Sequence, residues 1–251
     1  MSSGIWTRCA GDSRFRPFRL LAWRVVEAQH QVATRKLVDT LEEQALLEDL
    51  IEAAKPPDRT DGRLHYLLST PFRYPPLAHG SRFASRYERG IWYGSEGRRT
   101  AFAEVAYYRF VFLDGTRADL GTVTTELTAF TVRISSERGV DLVAPPFDAD
   151  RPSIASPSAY GETQVLGRAM RDAHVELFRY PSARDAEGGV NVGIFSPAAF
   201  GTAKPRGMET WRCTATRDRV ELMKRDYFEQ SALTFRRETF LVDGTLPAPA
   251  P

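Results

Sequence analysis

Short apolar runs with the composition or alternation of strands recur along the whole chain, and only a few longer stretches show helical periodicity. No internal repeat and no clear linker divides the 251 residues. Strands interspersed with a few helices are typical of an α+β domain. We therefore predict one α+β domain with mixed central sheets and peripheral helices, whose strands cover 18–26, 91–93, 125–134, 140–143, 175–178, 189–195, 209–215 and 233–242.

Three segments carry apolar residues at three- and four-residue steps, so we predict helices there. The first covers 34–54, with Thr34 as its N-cap and Pro56-Pro57 as its stop. Its leucines are expected to pack in the core, because a leucine stripe at helical spacing usually does. The other two helices cover 99–108 and 161–174.

The predicted domain occupies residues 18–245, with the helix at 34–54 as an insertion. Residues 1–17 have little apolar periodicity and are expected to form a loose lead-in. The segment 246–251 (LPAPAP) is expected to be a disordered tail. The segment 71–76 should be extended, because a residue that precedes proline avoids the helical region.

The overall charge excludes several classes of partner. Lysines and arginines exceed acidic residues by only two, so we expect no direct binding of nucleic acid and no attraction to an anionic membrane. Cys9 and Cys213 have no paired spacing, and the four histidines are scattered, so we expect neither a disulfide framework nor a metal site. Early arginines interrupt any apolar leader, which favours a cytoplasmic location.

The stretch from residue 70 to 108 places an arginine, a tyrosine and a glutamate at steps of eleven residues: Arg82, Tyr93 and Glu104. A guanidinium binds phosphate or carboxylate through two parallel hydrogen bonds. A tyrosine ring offers a flat face and a polar tip. A carboxylate stabilises a developing positive charge or takes a proton. Together these groups favour an anionic ligand that contains a ring.

The ordered set of motifs around these residues covers most of the span from 18 to 200. It consists of WRVVEAQ (23–29), GSRF (80–83), IWYGS (91–95), TAFAEVAYYR (100–109) and a closing segment at 160–195. This set resembles the RES domain family, the toxin halves of bacterial Xre–RES toxin–antitoxin pairs. The family is named for an arginine, a glutamate and a serine, and Ser182 lies in the closing segment.

The resemblance implies a fold similar to that of ADP-ribosyltransferases and a site that binds NAD as a substrate. In such a site Glu104 would stabilise the positive charge that develops on the ribose when nicotinamide leaves. Tyr93 would stack on or orient the nicotinamide ribose. Ser182 would donate a hydrogen bond that orients either the ligand or Glu104.

The resemblance also implies that two arginines bind the pyrophosphate. One of them is Arg82. The other is Arg24, on the first predicted strand, or Arg73, which stands nearer to Arg82 in the sequence. Both remain candidates for this role.

Members of such a family hydrolyse or phosphorolyse NAD or transfer ADP-ribose to a protein, and the residues do not separate these reactions. The resemblance implies an Xre-type antitoxin as partner, with a homodimer or a toxin–antitoxin hetero-oligomer as the assembly. A module that binds a nucleotide or a partner without catalysis is the alternative of another class. Glu104 argues against it, because such a module has no need of the carboxylate.

Two features near Ser182 have local explanations. Arg184 and Asp185 are expected to pair with each other at a turn. The glycine-rich run at 188–193 is expected to form a hairpin, because it lacks the strand–loop–helix frame of a phosphate-binding loop.

Overall fold

A mixed sheet forms the centre of the computed structural model, which describes residues 4–28, 37–57, 60 and 62–248. Within these residues the sheet has eight strands. They are β1 (Arg16–Glu27), β2 (Trp92–Ser95), β3 (Val123–Asp141), β4 (Leu177–Pro181), β5 (Val190–Ile194), β6 (Arg206–Ala215), β7 (Arg219–Lys224) and β8 (Ala232–Arg236).

The strand order is β1-β2-β5-β4-β3-β6-β7-β8, and β1 also pairs with β3. This extra pairing closes β1, β2, β5, β4 and β3 into a ring, from which β6, β7 and β8 extend as an antiparallel meander. The strands β3 and β4 pair in parallel, whereas the other pairs are antiparallel. The ring brings residues from β1, β2 and β5 side by side.

Six α-helices in the described residues surround the sheet. The longest, α4, follows β2 after two residues, and it buries Phe102, Tyr107 and Phe110 against β3, β6 and β7. A second core cluster packs α6 against the other side of the ring through Phe83, Leu166 and Met170. The helices are α1 (Ile5–Arg8), α2 (Leu41–Ala54), α3 (Tyr66–Arg73), α4 (Arg98–Gly115), α5 (Arg151–Ile154) and α6 (Gly161–Asp172).

The predicted α+β class is confirmed, and most predicted strands and helices are present with shifted ends. The strands predicted at 125–134 and 140–143 are one strand, β3, because its two halves find partners in succession along the sheet. The strand β7 was missed. The prediction of an extended segment at 71–76 is wrong for its first half, since burial of Leu67, Leu68 and Phe72 outweighs the local effect of proline and keeps α3 helical.

The expectation that the leucines of the first long helix pack in the core is wrong. The helix α2 begins at Leu41 after a capping box in which Thr40 and Glu43 satisfy each other's backbone N–H groups. Leu46 and Leu50 on this helix are each 60% exposed. Thr34, the predicted N-cap, lies outside the described residues.

The described residues near both ends of the chain pack more closely than predicted. Ile5 and Trp6 of α1 are buried in the core beside α6, so the described part of the lead-in is ordered structure. At the other end, Leu246 packs against the core under α4, and the carbonyl of Pro247 accepts a hydrogen bond from the Tyr107 hydroxyl. In the part of the chain that the structure describes, no helix combines the length and apolar character needed to cross a membrane.

Candidate functional site

Two cavities of about 400 and 770 Å³ meet at one wall of the ring. Arg24, Tyr93, Glu104 and Tyr108 line both of them. We call the smaller the inner cavity and the larger the outer cavity. Both volumes fall within the range that small-molecule sites occupy, roughly 300–1,000 Å³.

The fold brings the shared wall together from three elements. The strand β1 supplies Arg24, β2 supplies Tyr93, and α4 supplies Glu104 and Tyr108. Glu104 and Tyr108 are one helical turn apart and therefore project from the same face of α4. The short connection between β2 and α4 holds Tyr93 and Glu104 in a fixed relationship.

Two donors hold one oxygen of the Glu104 carboxylate. The Ser182 hydroxyl donates to Oε1 over 2.8 Å, and the Asn191 amide nitrogen Nδ2 donates to the same oxygen over 2.6 Å. Both bonds end on Oε1, and no described residue donates a hydrogen bond to Oε2 of this carboxylate. The carboxylate is therefore oriented by the protein with one oxygen left for a ligand.

The Ser182 hydroxyl has a single proton, and its surroundings direct that proton to Glu104. The backbone N–H groups of Arg184 and Asp185 both donate to Ser182 Oγ over 3.1 Å. Because these two bonds occupy the acceptor side of the hydroxyl, the hydroxyl serves Glu104 as a donor. Ser182 is 6% exposed, so water does not compete freely for this bond.

Tyr93 links the shared wall to the turn that carries Arg82. Its hydroxyl lies 3.0 Å from Ser81 Oγ and accepts a hydrogen bond from the Phe83 N–H over 3.3 Å. Burial raises the pKa of Tyr93 to about 12, so the phenol stays protonated at neutral pH. Its role at that pH is therefore packing and hydrogen bonding rather than proton abstraction.

Three arginines line the outer cavity: Arg24, Arg82 and Arg184. Among the residues that the structure describes, none of the three has a carboxylate within ion-pair distance. Arg184 is only 5% exposed. A buried guanidinium without a counter-ion is costly, so this cavity is electrostatically suited to an anion.

Arg24 donates from Nη1 to the Tyr93 carbonyl over 3.1 Å, and its guanidinium lies 5.2 Å from the centre of the Trp92 ring. Burial lowers the pKa of Arg24 to about 10, which still leaves the side chain charged at neutral pH. Among the described residues no group accepts a hydrogen bond from the remaining N–H groups of this guanidinium, so they are available to bind an anion in either cavity.

Arg82 and Arg184 converge on one aromatic ring. The Arg82 guanidinium lies 4.7 Å from the centre of the Tyr160 ring, and Arg184 Nη2 lies 3.4 Å from the Tyr160 hydroxyl. Arg82 also donates to the carbonyls of Ile154 and Ser156, and Arg184 lies 3.5 Å over the Tyr107 ring. Both guanidinium groups thus contact Tyr160, and no carboxylate of the described residues lies within ion-pair distance of either.

A model of the RES domain matches residues 56–216, which is more than half of the chain. The chain belongs to the RES domain family. The assignment that the motifs gave by resemblance is confirmed. The matched range contains Arg73, Arg82, Tyr93, Glu104 and Ser182, whereas Arg24 precedes it.

Solved structures with a similar fold include the crystal structure of the M. tuberculosis MbcT–MbcA toxin–antitoxin complex. The similarity has a TM-score of 0.48 at 12% sequence identity, and it covers 82% of this chain and 91% of that one. No curated protein sequence matches this chain significantly.

The structure separates the two candidates for the second arginine of this RES protein. Arg24 lines both cavities. Arg73 instead forms an ion pair with Glu52 over 2.8 Å and donates to the carbonyl of Pro56. Its guanidinium thus connects α3 to α2 and does not line either cavity.

Two residues of the site were missed from the sequence. Asn191 lies in the glycine-rich run, which is β5 with its preceding turn, and nothing local marks it as a partner of Glu104. Arg184 was expected to pair with Asp185, and that prediction is wrong. Asp185 accepts a hydrogen bond from Thr100 over 2.8 Å, while Arg184 turns toward the outer cavity.

The polar side chains around the cavities are mainly arginines, tyrosines, serines, Asn191 and the carboxylates of Glu27 and Glu104. In the described residues, no three His, Cys, Asp or Glu side chains come together as a metal site. Charge around the cavities comes from the guanidinium groups and from the carboxylates of Glu104 and Glu27, the second of which forms an ion pair with Arg109 over 2.7 Å.

Proposed function

We propose that this RES protein is a toxin-type enzyme that binds NAD and cleaves its nicotinamide–ribose bond. The observation that carries the proposal is the fixed carboxylate of Glu104, held at one oxygen by Ser182 and Asn191 in the wall between two cavities. Membership of the RES family supports it, since the family resemblance implies NAD as the substrate.

The charges of the outer cavity support a dinucleotide. The pyrophosphate of NAD carries two negative charges. The guanidinium groups of Arg24, Arg82 and Arg184, which form no ion pair with any described residue, offer compensation for them. The apolar lining that Tyr74, Pro75 and others provide suits the ring systems of such a ligand. The predicted roles of Arg24 and Arg82 in pyrophosphate binding are kept in this proposal, and Arg184 is added to them.

In the proposed reaction the bond between ribose C1′ and the pyridinium nitrogen breaks, and its electron pair stays on that nitrogen. Nicotinamide leaves as a neutral molecule, and the ribose becomes an oxocarbenium-like cation. The negative charge of Glu104 stabilises this cation. Tyr93, as a neutral phenol, orients the nicotinamide ribose. An acceptor oxygen then bonds to C1′ and loses its proton to solvent.

The acceptor defines three related reactions: water gives hydrolysis, phosphate gives phosphorolysis, and a protein side chain gives ADP-ribosylation. Of these reactions we favour hydrolysis or phosphorolysis of free NAD, because the two cavities beside the ring of strands have the size of small-molecule sites. An Xre-type antitoxin that covers the outer cavity would neutralise the enzyme in the cytoplasm. Transfer to a protein is the alternative reaction at the same site.

Induction of the chain in a bacterial host tests the toxin proposal. We expect wild type to stop growth and to lower cellular NAD before viability falls, and Glu104→Gln to permit growth with normal NAD. Glu238→Gln is a matched control, because Glu238 is exposed and distant from the cavity residues in the sequence. Growth arrest without loss of NAD would contradict hydrolysis or phosphorolysis of the NAD pool and favour transfer of ADP-ribose to a protein.

A further inference from the structure

Ser95 on β2 and Asn191 on β5 are direct neighbours across the antiparallel pair of strands. The Ser95 hydroxyl donates to Asn191 Oδ1 over 2.6 Å. Each of the two residues is 2% exposed, so the bond is shielded from water. Ser95 is the last residue of the IWYGS motif, but the sequence alone assigned no role to it.

The chemistry of Glu104 fixes the direction of this bond. An ionised carboxylate only accepts hydrogen bonds, so Asn191 has to present its amino group to Glu104 Oε1. The amide oxygen of Asn191 then faces Ser95, which has a proton to donate. If the amide turned over, its oxygen would face the carboxylate and its amino group would face the hydroxyl. Ser95 therefore favours the one orientation in which Glu104 keeps its second donor.

Each of the two donors to Glu104 is thus itself oriented by further hydrogen bonds. Ser182 is held by two backbone N–H groups, and Asn191 is held by Ser95. Both act on Oε1, which leaves Oε2 as the oxygen that meets a ligand. Ser95 also lines the inner cavity together with Glu104 and Asn191, so it lies at the reacting side of the wall and not in the distant core.

We propose that Ser95 is a positioning residue of the reaction, which sets the orientation of the Asn191 amide and through it the aim of the Glu104 carboxylate. This inference rests on the proposed cleavage of NAD. Ser95 contacts no reacting atom in this proposal. Its effect falls on the chemical step and not on substrate binding, because the arginines that would bind the pyrophosphate do not contact it.

The test compares steady-state NAD cleavage by wild type, Ser95→Ala and Asn191→Ala. We expect kcat of Ser95→Ala to fall roughly 10-fold or more, the scale seen when a hydrogen bond that orients a reactive group is removed. KM for NAD should stay near the wild-type value, because uniform binding is untouched. The double variant should be no slower than Asn191→Ala, since Ser95 acts only through the amide.

Two controls separate positioning from general destabilisation. Ser136 on β3 also has a buried hydroxyl, which donates to Glu176 just before β4. Ser136→Ala should lower stability without lowering kcat. Ser95→Thr keeps the hydroxyl and should restore most of the activity lost in Ser95→Ala. A wild-type kcat in Ser95→Ala, or an equal loss in Ser136→Ala, would overturn the proposal.

A second measurement does not depend on turnover. The side-chain amide resonances of Asn191, assigned by their absence in Asn191→Ala, should shift in Ser95→Ala and stay unchanged in Ser136→Ala. If wild type cleaves no NAD, the proposed function fails, and these resonances still decide whether Ser95 orients the amide. Unchanged Asn191 resonances in Ser95→Ala would overturn the inference by themselves.

Discussion

The Ser182 hydroxyl donates to Glu104 Oε1 over 2.8 Å, although 78 residues separate the two side chains in the sequence. This bond joins α4 to the segment that leads from β4 into β5. It places the serine behind the carboxylate, so that the serine orients Glu104 and the carboxylate faces the cavities. From the protein interior toward the cavities, the backbone N–H groups hold Ser182, Ser182 holds Glu104, and Glu104 faces the cavities.

Arg24 and Arg73 should differ in their effects on ligand binding. Replacing Arg24 by Gln removes a charge from the cavity wall, and we expect NAD affinity to fall about 10- to 100-fold, the equivalent of one hydrogen bond to a charged group. Replacing Arg73 by Gln breaks the ion pair with Glu52 and should leave affinity unchanged. Calorimetric titration of both variants measures this. A larger loss of NAD affinity in Arg73→Gln than in Arg24→Gln would show that Arg73 is the arginine that binds the ligand.

Arg184 should stabilise the ligand complex and not the free protein. Its guanidinium is buried without a counter-ion, which is costly before an anion binds. We expect Arg184→Met to keep or raise the Tm of the free protein and to weaken NAD binding by at least about 10-fold. Thermal unfolding with and without NAD gives both quantities. A lowered Tm with unchanged affinity would show that Arg184 is purely structural.

Gly167 on α6 lies against the backbone of the turn that carries Arg82. A Cβ atom at this position would overlap the Phe83 carbonyl. We expect Gly167→Ala to cost about 1–3 kcal/mol of the free energy of unfolding, as overpacking usually does, and to weaken NAD binding by moving that turn. Gly161→Ala is the matched control, because it lies on the same helix with no atom near the added methyl group. Urea unfolding that gives equal stabilities for the two variants would contradict this packing.

Asp114 near the end of α4 should make a small, pH-dependent contribution to stability. Arg237 donates to both of its oxygens, over 2.7 and 2.6 Å, and this hydrogen bonding lowers the pKa of Asp114 below its ordinary value. Because the folded-state pKa is lowered, the contribution is present above the unfolded pKa and is lost as the pH falls through the folded value. Both side chains are partly exposed, so we expect less than about 1 kcal/mol.

Denaturation of wild type and Asp114→Asn at a series of pH values measures this contribution. The variant should be less stable at pH 7, and the difference should shrink as the solution becomes acidic. A difference that stays constant down to the acid unfolding of the protein would contradict the assignment to Asp114.

The sequence predicted the parts of the site that local pattern determines. The helical periodicity after Arg99 predicted the helix that carries Glu104, and the apolar run around Arg24 predicted β1. The spacing of Arg82, Tyr93 and Glu104 put these residues together, and the structure places all three around the two adjoining cavities.

The missed parts depend on contacts that are distant in the chain. Asn191 meets Glu104 only because the ring closes through β1, β2 and β5, and no local pattern encodes that closure. Arg184 has an acid, Asp185, as its neighbour in the sequence, but Asp185 accepts a hydrogen bond from Thr100 and forms no ion pair with Arg184. Only the three-dimensional structure shows this. The leucines of α2 follow a helical stripe correctly, but periodicity does not show whether anything covers the stripe.

NAD cleavage by the purified chain tests the central claim most directly. Wild type and Glu104→Gln are incubated with NAD, with and without phosphate, while nicotinamide and the ribose product are identified by mass spectrometry and NAD binding is measured separately. We predict that wild type releases nicotinamide and that Glu104→Gln binds NAD but cleaves it roughly 100-fold more slowly or worse, because the stabilising charge is lost. Cleavage at the wild-type rate by Glu104→Gln, or no nicotinamide from wild type in either buffer, would contradict the account.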